Sequence, residues 1–402
     1  MAGTDASVEV GWKSMLYLTL TGRNDWASQL ANSSTPCFFY PSVGLSGVIS
    51  EMLTLPEFID YMKVRGSFSS VGMPYPRNLT SPTYEYDEAN QQWKPKTHYP
   101  IKDLKPERTN SWELGLDMRL FKDFSLGFSW YLANTFNQTF DPKVSVSSGY
   151  SKIYLQTGYV RNSGVELSLG YGHTWNNHLH WESNFTLSHN KNTIKDLVTS
   201  YIHPETGLPI TQNRLDVGGL GKARFILKKG GTLGDLYTQS DLKRDNSGMV
   251  EIDPSGALTT EDNLPDIKLG SVFPKANLAW NNRFEWRGIS LSALFTARIG
   301  GIAYSATQAA MDQYGVSERS AQARDNGGVL LNGRTLVDAQ TYYSLIGNSS
   351  GLPQYYTYSA TNVRLQEASV GYTIPRKWLG GVCDINVSVV GRNLWMIYCR
   401  AP

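Results

Sequence analysis

The chain has 402 residues, and its 37 Lys and Arg nearly balance its 35 Asp and Glu, which leaves a formal net charge of +2. So even a balance gives no basic surface on the scale that nucleic acids require. Apolar residues make up only 41% of the chain, and no run approaches the roughly 18 apolar residues of a membrane-spanning helix. The composition therefore excludes a helical membrane protein and leaves β-rich folds open.

The N-terminal stretch MAGTDASVEVGWKSM lacks the charged segment and apolar core of a signal peptide. This indicates either a cytosolic protein or a piece of a longer precursor. The first predicted strand follows, because Leu16, Leu18 and Leu20 alternate there with Tyr17, Thr19 and Thr21. A period of two places the leucines on one face of the strand.

The clearest β pattern lies in residues 110–136, NSWELGLDMRLFKDFSLGFSWYLANTF. Its two arms place Trp, Leu, Met and Phe on one face and Glu, Asp, Arg, Ser and Gly on the other, around a short turn at 121–123. Each arm is about nine residues long, close to the 9–11 that a tilted strand needs to cross a bilayer. The strands of soluble β-sandwiches alternate in the same way, so loop lengths are needed to distinguish a sandwich from a membrane barrel.

The same alternation recurs at 163–171, 179–189, 276–286, 289–298, 367–374 and 383–391. About ten to twelve strands follow from the period-two rule. Short turns are predicted at 121–123, 175–178, 287–288 and 376–381, and long connections at 73–108, 134–160, 190–275 and 300–360. Tight turns at one end and long loops at the other are typical of outer-membrane barrels. The predicted fold is thus an all-β, antiparallel transmembrane β-barrel, present in part.

Two of the long connections have features of their own. Segment 190–275 is rich in Gly, Asp and turn formers and is predicted to be an elaborated extracellular loop. Segment 300–360 is predicted to be a second extracellular loop, with a short helix in the alanine-rich stretch 305–328.

Aromatic residues of the predicted loops are the candidate substrate contacts. Flat aromatic faces beside Asn, Gln and Asp suit oligosaccharides or peptides, which bind by stacking and hydrogen bonding. The alternative is that these side chains only pack the loops together. The candidates are Tyr84, Tyr86, Trp93, Tyr150, Tyr154, Tyr355, Tyr356 and Tyr358.

No catalytic, cofactor or metal site is predicted. Glu113, Asp117, Glu166 and Glu182 fall on polar strand faces, where lining a water-filled lumen is the simpler account. His178 and His180 share a strand face, but no carboxylate or cysteine completes a ligand set. The Asp-rich stretch SDLKRDNSGMVEIDPSG does not fit the ligand spacing of a calcium loop, and no nucleophile elbow or phosphate-binding motif occurs.

Several segments together resemble one family. LKPERTNSWELGLDMRLFKDFSLGFSWYLANTFN, GYVRNSGVELSLG and VRLQEASVGYTIPRKWL are similar, in this order, to strands of SusC/RagA TonB-dependent outer-membrane transporters. The likeness extends over most of residues 12–398 and implies a part of a plugged barrel of about 22 strands. The family's signal peptide, TonB-contacting segment and plug are not found in this sequence, so residues 1–402 are expected to be a barrel fragment.

The resemblance implies further expectations about function. Members of the family import oligosaccharides or oligopeptides across the Gram-negative outer membrane, without covalent chemistry. The implied partners are a SusD-like surface lipoprotein that acts as a lid, TonB through the missing N-terminal region, and outer-membrane lipid. A fragment with two open sheet edges should not insert alone, because unpaired backbone groups in lipid cost several kcal/mol each.

Two alternatives remain. A secreted or surface β-rich carbohydrate-binding protein would pack the same apolar faces into a dry core and would not span a membrane. A closed passive porin is disfavoured by the long segment 190–275.

Overall fold

A computed structural model of the chain describes residues 2–28, 36–74, 84–95, 98–99, 105–140, 152–153, 155–175, 178–202, 209–348 and 351–401. Twelve strands form one antiparallel sheet, here called the wall, in which neighbours in sequence are neighbours in space. The strands are β1 (Ala2–Trp12), β2 (Leu16–Trp26), β3 (Cys37–Val48), β4 (Ile59–Met73), β5 (Glu107–Leu120), β6 (Phe124–Phe140), β7 (Leu155–Thr174), β8 (Leu179–Asp196), β9 (Ala276–Trp286), β10 (Ile289–Ile299), β11 (Asn362–Ile374) and β12 (Ile385–Cys399).

The register of the wall separates apolar from polar side chains. Leu116 pairs with Phe128, Phe128 with Leu167, and the row continues through Leu187 to Leu278. One residue along, Asp117, Gly127, Ser168, Thr186 and Ala279 form the matching row on the opposite face. Because pleated strands alternate, the wall has an apolar outer face and a polar inner face. The prediction of an antiparallel all-β sheet with ten to twelve strands is confirmed.

Short turns join the strands at one end of the wall. Arg287 and Gly288 have φ values of 47° and 88°, the left-handed pair that a two-residue hairpin turn requires. Phe121 and Lys122 also have positive φ, 52° and 65°, in the turn between β5 and β6. The remaining short connections at this end include helix α1 (Ile49–Met52) and a 3-10 turn (Arg376–Leu379). We call this the short-turn end and the opposite end the long-loop end.

Several strands are longer than their alternating patterns. β6, β7 and β8 have 17, 20 and 18 residues, so strand pairing extends well into the predicted connection 134–160. Residues 190–196 likewise belong to β8 rather than to a loop. The strands remain paired beyond the region in which apolar and polar residues alternate. Alternation stops there because, beyond the apolar band, the outer face of the strands also carries polar side chains.

Aromatic rings border the apolar band of the outer face. Near the short-turn end, Phe124 contacts Tyr171 at 4.8 Å between ring centroids, and Tyr171 contacts Trp181 at 5.1 Å. Trp112, toward the long-loop end, contacts Phe68 at 4.7 Å. The eight residue steps from Trp112 to Leu120 span about 26 Å of strand, or about 20 Å across a bilayer at a 40° tilt. This height is close to the roughly 25 Å apolar band of outer-membrane barrels.

The connections at the long-loop end contain further structure. Between β8 and β9, four short strands form one sheet: Arg214–Leu220, Ala223–Lys228, Asp235–Thr238 and Ile267–Ser271. Between β10 and β11 lie α2 (Ala306–Gln313), α3 (Glu318–Asp325), α4 (Ala339–Ile346) and a 3-10 turn (Pro353–Tyr356). Paired short segments complete the structure: Tyr84–Asp87 with Gln92–Pro95, His98–Tyr99 with Lys152–Ile153, Val198–Ile202 with Pro209–Gln212, Asp241–Leu242 with Thr260–Glu261, Ile302–Tyr304 with Thr357–Ser359, and Val329–Leu331 with Thr335–Val337.

The described parts of 209–275 and 300–361 pack together, and we call them the loop layer. Its core contains Leu242 and Leu258 from the first segment and Ile346, Leu352 and Tyr356 from the second. A second cluster, with Ile194, Leu215 and Leu227, fixes the four-stranded sheet on the ends of β7 and β8. Within the described ranges, no helix is both long enough and apolar enough to cross a membrane.

Candidate functional site

The inner face of the wall carries charged side chains that are paired with one another. Arg65 lies 3.3 Å from the Glu113 carboxylate and donates a hydrogen bond of 2.7 Å to the Ser129 hydroxyl. Arg392 of β12 pairs with Glu367 of β11 at 2.9 Å, near the C-terminal edge of the wall. Because both partners in each pair are exposed to water, these pairs set the polarity of the face more than they stabilise the fold.

A cavity of about 660 Å³ lies on the inner face and is lined from Arg65 on β4 to Arg364 on β11. Asp117 and Glu166 contribute carboxylates to it, and Arg298 contributes a guanidinium. The Arg298 side chain also donates to the Val272 carbonyl at 2.6 Å, so it joins the cavity to the loop layer. A volume of this size and polarity can hold several residues of a hydrophilic ligand or of another protein segment.

The four carboxylates predicted to line a polar face all lie on the inner face. Glu182 accepts a hydrogen bond of 2.8 Å from Asn184, its neighbour on that face, and Glu113 pairs with Arg65. The arginines beside them were not predicted from the sequence. They could have been predicted from the alternation, because Arg65 and Arg283 occupy the same alternate positions as the polar residues of their strands.

The histidines weighed as metal ligands lie near the short-turn end. His180 is 2.8 Å from the Thr174 hydroxyl, and His178 lies in the turn with φ of 62°. Both line a smaller cavity of about 390 Å³ together with Arg283 and Glu285. Among the described side chains, no group of three His, Cys, Asp or Glu is placed to hold a metal ion.

An ion pair inside the loop layer fixes its helices. Asp312 of α2, whose side chain is fully buried, accepts hydrogen bonds from Arg319 and Ser317. Burial alone would raise the pKa of Asp312, but the bonds from Arg319 and Ser317 outweigh it and lower the pKa. The Arg319 guanidinium also lies over the Tyr356 ring, 4.8 Å from its centroid. This arrangement ties α2, α3 and the Pro353–Tyr356 turn into one unit.

A second charged cluster holds the four-stranded sheet. Asp266 accepts two hydrogen bonds from Arg214, of 2.7 and 2.9 Å, and pairs with Lys228 at 2.8 Å. These partners, Arg214 first, lower the pKa of the nearly buried Asp266 carboxyl to about 2. Lys228 and Lys268 in turn lie over the Tyr237 ring, at 4.8 and 5.9 Å from its centroid.

The candidate aromatic residues fall into two environments. Tyr86 and Trp93 face each other across the hairpin of Tyr84–Asp87 and Gln92–Pro95, with ring centroids 5.2 Å apart. Their side chains are 46% and 67% exposed, so both rings are open to a ligand. Tyr84 begins the first strand of this hairpin. Tyr150 and Tyr154 lie outside the described residues.

The three candidates near the C-terminal end of the loop layer take part in its core. Tyr356 has no exposed surface, and Tyr355 and Tyr358 are half-buried against the same cluster. The Tyr355 hydroxyl lies 3.4 Å from Asp241, beside Gln354, which donates to the same carboxylate at 2.8 Å. For Tyr356 the structure favours the packing role over direct ligand contact. Burial also raises the pKa of the neighbouring Tyr342 to about 12.

The comparisons with known proteins agree with this architecture. The profile of the family described as "TonB dependent receptor-like, beta-barrel" matches residues 6–394. TonB-dependent receptor P3 of Formosa agariphila is 22% identical over 96% of this chain. The chain spans about 40% of the length of that relative.

Solved structures with the same fold include the RagAB peptide transporter, with a TM-score of 0.74 and 18% sequence identity. That comparison covers 98% of this chain and 44% of the transporter chain. The RagAB peptide importer in its "closed-closed" state gives a TM-score of 0.73 at 17% identity. Since the family profile covers nearly the whole sequence, the chain belongs to the TonB-dependent receptor-like β-barrel family, as the sequence predicted.

Proposed function

We propose that this chain forms part of the wall of a TonB-dependent importer in the Gram-negative outer membrane. The importer takes up oligopeptides or oligosaccharides and works with a SusD-like lipoprotein lid and with TonB, which binds a part of the protein outside this chain. The residues proposed to act bind and guide the substrate, and no covalent step is required. The loop layer and the hairpin of Tyr86 and Trp93 face the cell exterior.

One observation carries this proposal. The outer face is apolar over the height of a bilayer, while the inner face is polar across the same rows of the wall. Such a sheet suits a boundary between lipid and a water-filled passage, and it does not suit a globular module, which would have to cover its outer face with a second layer.

The name of the RagAB peptide transporter favours oligopeptides as the substrate class. Peptides and sugars share the chemistry that the exposed hairpin offers, because aromatic faces stack on both and the polar inner face hydrogen-bonds to both. The substrate test must therefore include both classes.

The test uses the full-length transporter that contains this chain, deleted and restored in its native host. We expect the deletion strain to lose growth on either oligopeptides or oligosaccharides as sole nutrient, and the intact gene to restore it. Growth of the deletion strain on both nutrient classes at the parental rate would contradict the importer function.

The hairpin is tested separately by calorimetric titration of the purified transporter with the substrate class found. Trp93→Ala should weaken binding about fivefold, since one aromatic contact contributes roughly 1 kcal/mol. Tyr314→Ala is the matched control, because Tyr314 is 76% exposed and lies on the α2–α3 turn. Equal affinity of both variants would remove the hairpin from the binding site.

A further inference from the structure

The cavity on the inner face carries opposite charges on its two sides. One row of paired residues crosses this face from β4 to β10 and contains Arg65, Gly115, Ser129, Glu166, Ser188, Asn277 and Arg298. Glu166 and Arg298 are three strands apart in this row, which corresponds to about 14 Å along the sheet. The side chains between them, of Ser188 and Asn277, are uncharged. The cavity therefore has a carboxylate and a guanidinium on opposite sides of a polar floor.

Arg298 is fixed in position without a carboxylate partner. Its side chain donates to the Val272 carbonyl at 2.6 Å, and its Nε is buried with no hydrogen-bond partner among the described residues. Gly301, with φ of 80°, leaves room for this contact, because a Cβ there would lie 3.3 Å from the guanidinium and 3.1 Å from the Val272 carbonyl oxygen. A guanidinium held in this way is preorganised and keeps donor groups for a ligand.

Arg364 adds a second cation to the same side of the cavity. It pairs in register with Thr296 of β10, so it is a diagonal neighbour of Arg298, about 7–8 Å away. Its guanidinium donates at 3.1 Å to the side-chain oxygen of Asn362, which is the register partner of Arg298 and carries no charge. Across the described part of the chain, neither arginine forms an ion pair with Asp or Glu. Two like charges this close repel each other unless an anion lies between them.

Glu166 is the carboxylate left for a ligand on the other side. Its residue is exposed on the inner face, and within the described ranges it has no ion pair. Asp117, the other cavity carboxylate, is the register partner of Lys63, and Arg65 is already paired with Glu113. The charges on this side are therefore balanced except for that of Glu166.

A ligand with one positive and one negative end matches this arrangement of charges. Guanidinium groups bind a carboxylate through charge-assisted hydrogen bonds, and a carboxylate binds an ammonium group in the same way. An extended peptide of about four residues is about 14 Å long. A neutral oligosaccharide would cover the same charges without supplying a counter-charge, which is unfavourable. The arrangement thus favours a short peptide with free ends.

We propose that the cavity binds a short peptide by its two free ends, the carboxylate at Arg298 and Arg364 and the amino group at Glu166. This assignment rests on the proposed function and deepens it, because it names the substrate class and the direction in which the substrate lies. Both arginines lie at the long-loop end of their strands, so the carboxylate is bound directly beneath the loop layer. Ser188 and Asn277 offer hydrogen bonds to the peptide groups between the two ends.

The experiment titrates the purified full-length transporter with small ligands in a calorimeter. The probes are a tetrapeptide of alanine and serine with both ends free, the same peptide with an amidated C-terminus, the same peptide with an acetylated N-terminus, and a tetrasaccharide of uronic acid. The test variant is R298Q/R364Q. The control variant, R283Q/R376Q, removes two guanidinium groups from the short-turn end. Heat-modifiable migration in gels confirms that each variant has folded.

We expect amidation of the C-terminus to weaken binding to the wild type and to the control variant roughly 10-fold to 100-fold, which is the contribution of a hydrogen-bonded charge pair. The R298Q/R364Q variant should bind the free peptide as weakly as the wild type binds the amide, and it should not distinguish the two peptides. Acetylation of the N-terminus should weaken binding less, about threefold, since Glu166 is exposed to water.

Equal affinity of the wild type for the free and the amidated peptide would overturn the proposal, as would the absence of binding by the free peptide. If the R298Q/R364Q variant lost affinity for both peptides to the same extent, the arginines would only maintain the shape of the cavity, which also overturns it. An acetylated peptide that binds as tightly as the free one would overturn the role of Glu166. Tighter binding of the uronic acid tetrasaccharide would replace the peptide with an acidic sugar. Each of these results would leave the importer function standing, because that function is tested by growth.

Discussion

In the wall, Phe128 and Trp112 leave 39% and 54% of their surface uncovered, whereas Tyr356 and Leu352 of the loop layer have none exposed. The wall keeps its apolar side chains on a surface that lipid must cover, and the loop layer buries them against one another. A single chain therefore contains one region built for a hydrocarbon solvent and one built for water. The two regions should respond differently to the same kind of substitution, and the following predictions use that difference.

The largest effect is expected at Tyr356. Tyr356→Ala removes a fully buried ring that also contacts Arg319, and such a change costs about 3–5 kcal/mol. The loop layer should become sensitive to protease while the wall still migrates as a heat-modifiable barrel in the full-length protein. Tyr314→Ala, at an exposed position, should leave the protease resistance unchanged. Loss of the barrel together with the loop layer would show that the two regions are one cooperative unit.

A slightly smaller effect is expected in the wall. Phe128→Arg places a charge in the apolar band between the aromatic rings, at a cost of roughly 2–4 kcal/mol near the bilayer midplane. Ser168 provides the control: it follows Leu167, the register partner of Phe128, and therefore lies on the opposite face, where Ser168→Arg points into the polar cavity. Membrane fractions should contain the Ser168 variant and lack the Phe128 variant. Equal insertion of both variants would contradict the assignment of the outer face to lipid.

The smallest effect concerns pH and the loop layer alone. The pKa of Asp266 is about 2 in the folded protein, below its ordinary value of 3.8, so the carboxylate stabilises the fold at all pH values above about 4. This contribution, about 2 kcal/mol, is lost as pH falls from 4 to 2. Protease resistance of the loop layer, measured with an acid-active protease, should decline over this range. In the Asp266→Asn variant the decline should be shallower; an unchanged decline would exclude this carboxylate as its cause.

The strands of the wall could be predicted because neighbouring residues in the sequence alternate according to the environment of each face. In residues 110–136, each Leu, Phe or Trp has its polar neighbours one position away, and a period of two identifies the strand without knowledge of its partner. The prediction failed to follow the strands above the band, where both faces are polar. Arg161 and Asn192 lie in those extensions, so their partners across the sheet could not be identified before the register was known.

The role of the loop tyrosines could not be decided in the same way. Tyr356 is buried by Leu242 and Leu258, which lie about a hundred residues earlier in the chain. Trp93 and Tyr356 have similar sequence surroundings, since both lie in aromatic and turn-rich segments. Trp93 is nevertheless exposed, whereas Tyr356 is buried. Burial that comes from a distant segment leaves no local period to detect.

The unbroken length of β8 has a mechanical consequence. Beyond its last pairing with β9, the amide of Ile194 donates to the Gly231 carbonyl and its own carbonyl accepts from Gly230, so the end of the strand is hydrogen-bonded to the turn between two strands of the four-stranded sheet. A force that tilts this sheet would then be transmitted to β8 through these hydrogen bonds and, from β8, to its paired neighbours in the wall. Movement of the loop layer would therefore be coupled to shear between the strands of the wall.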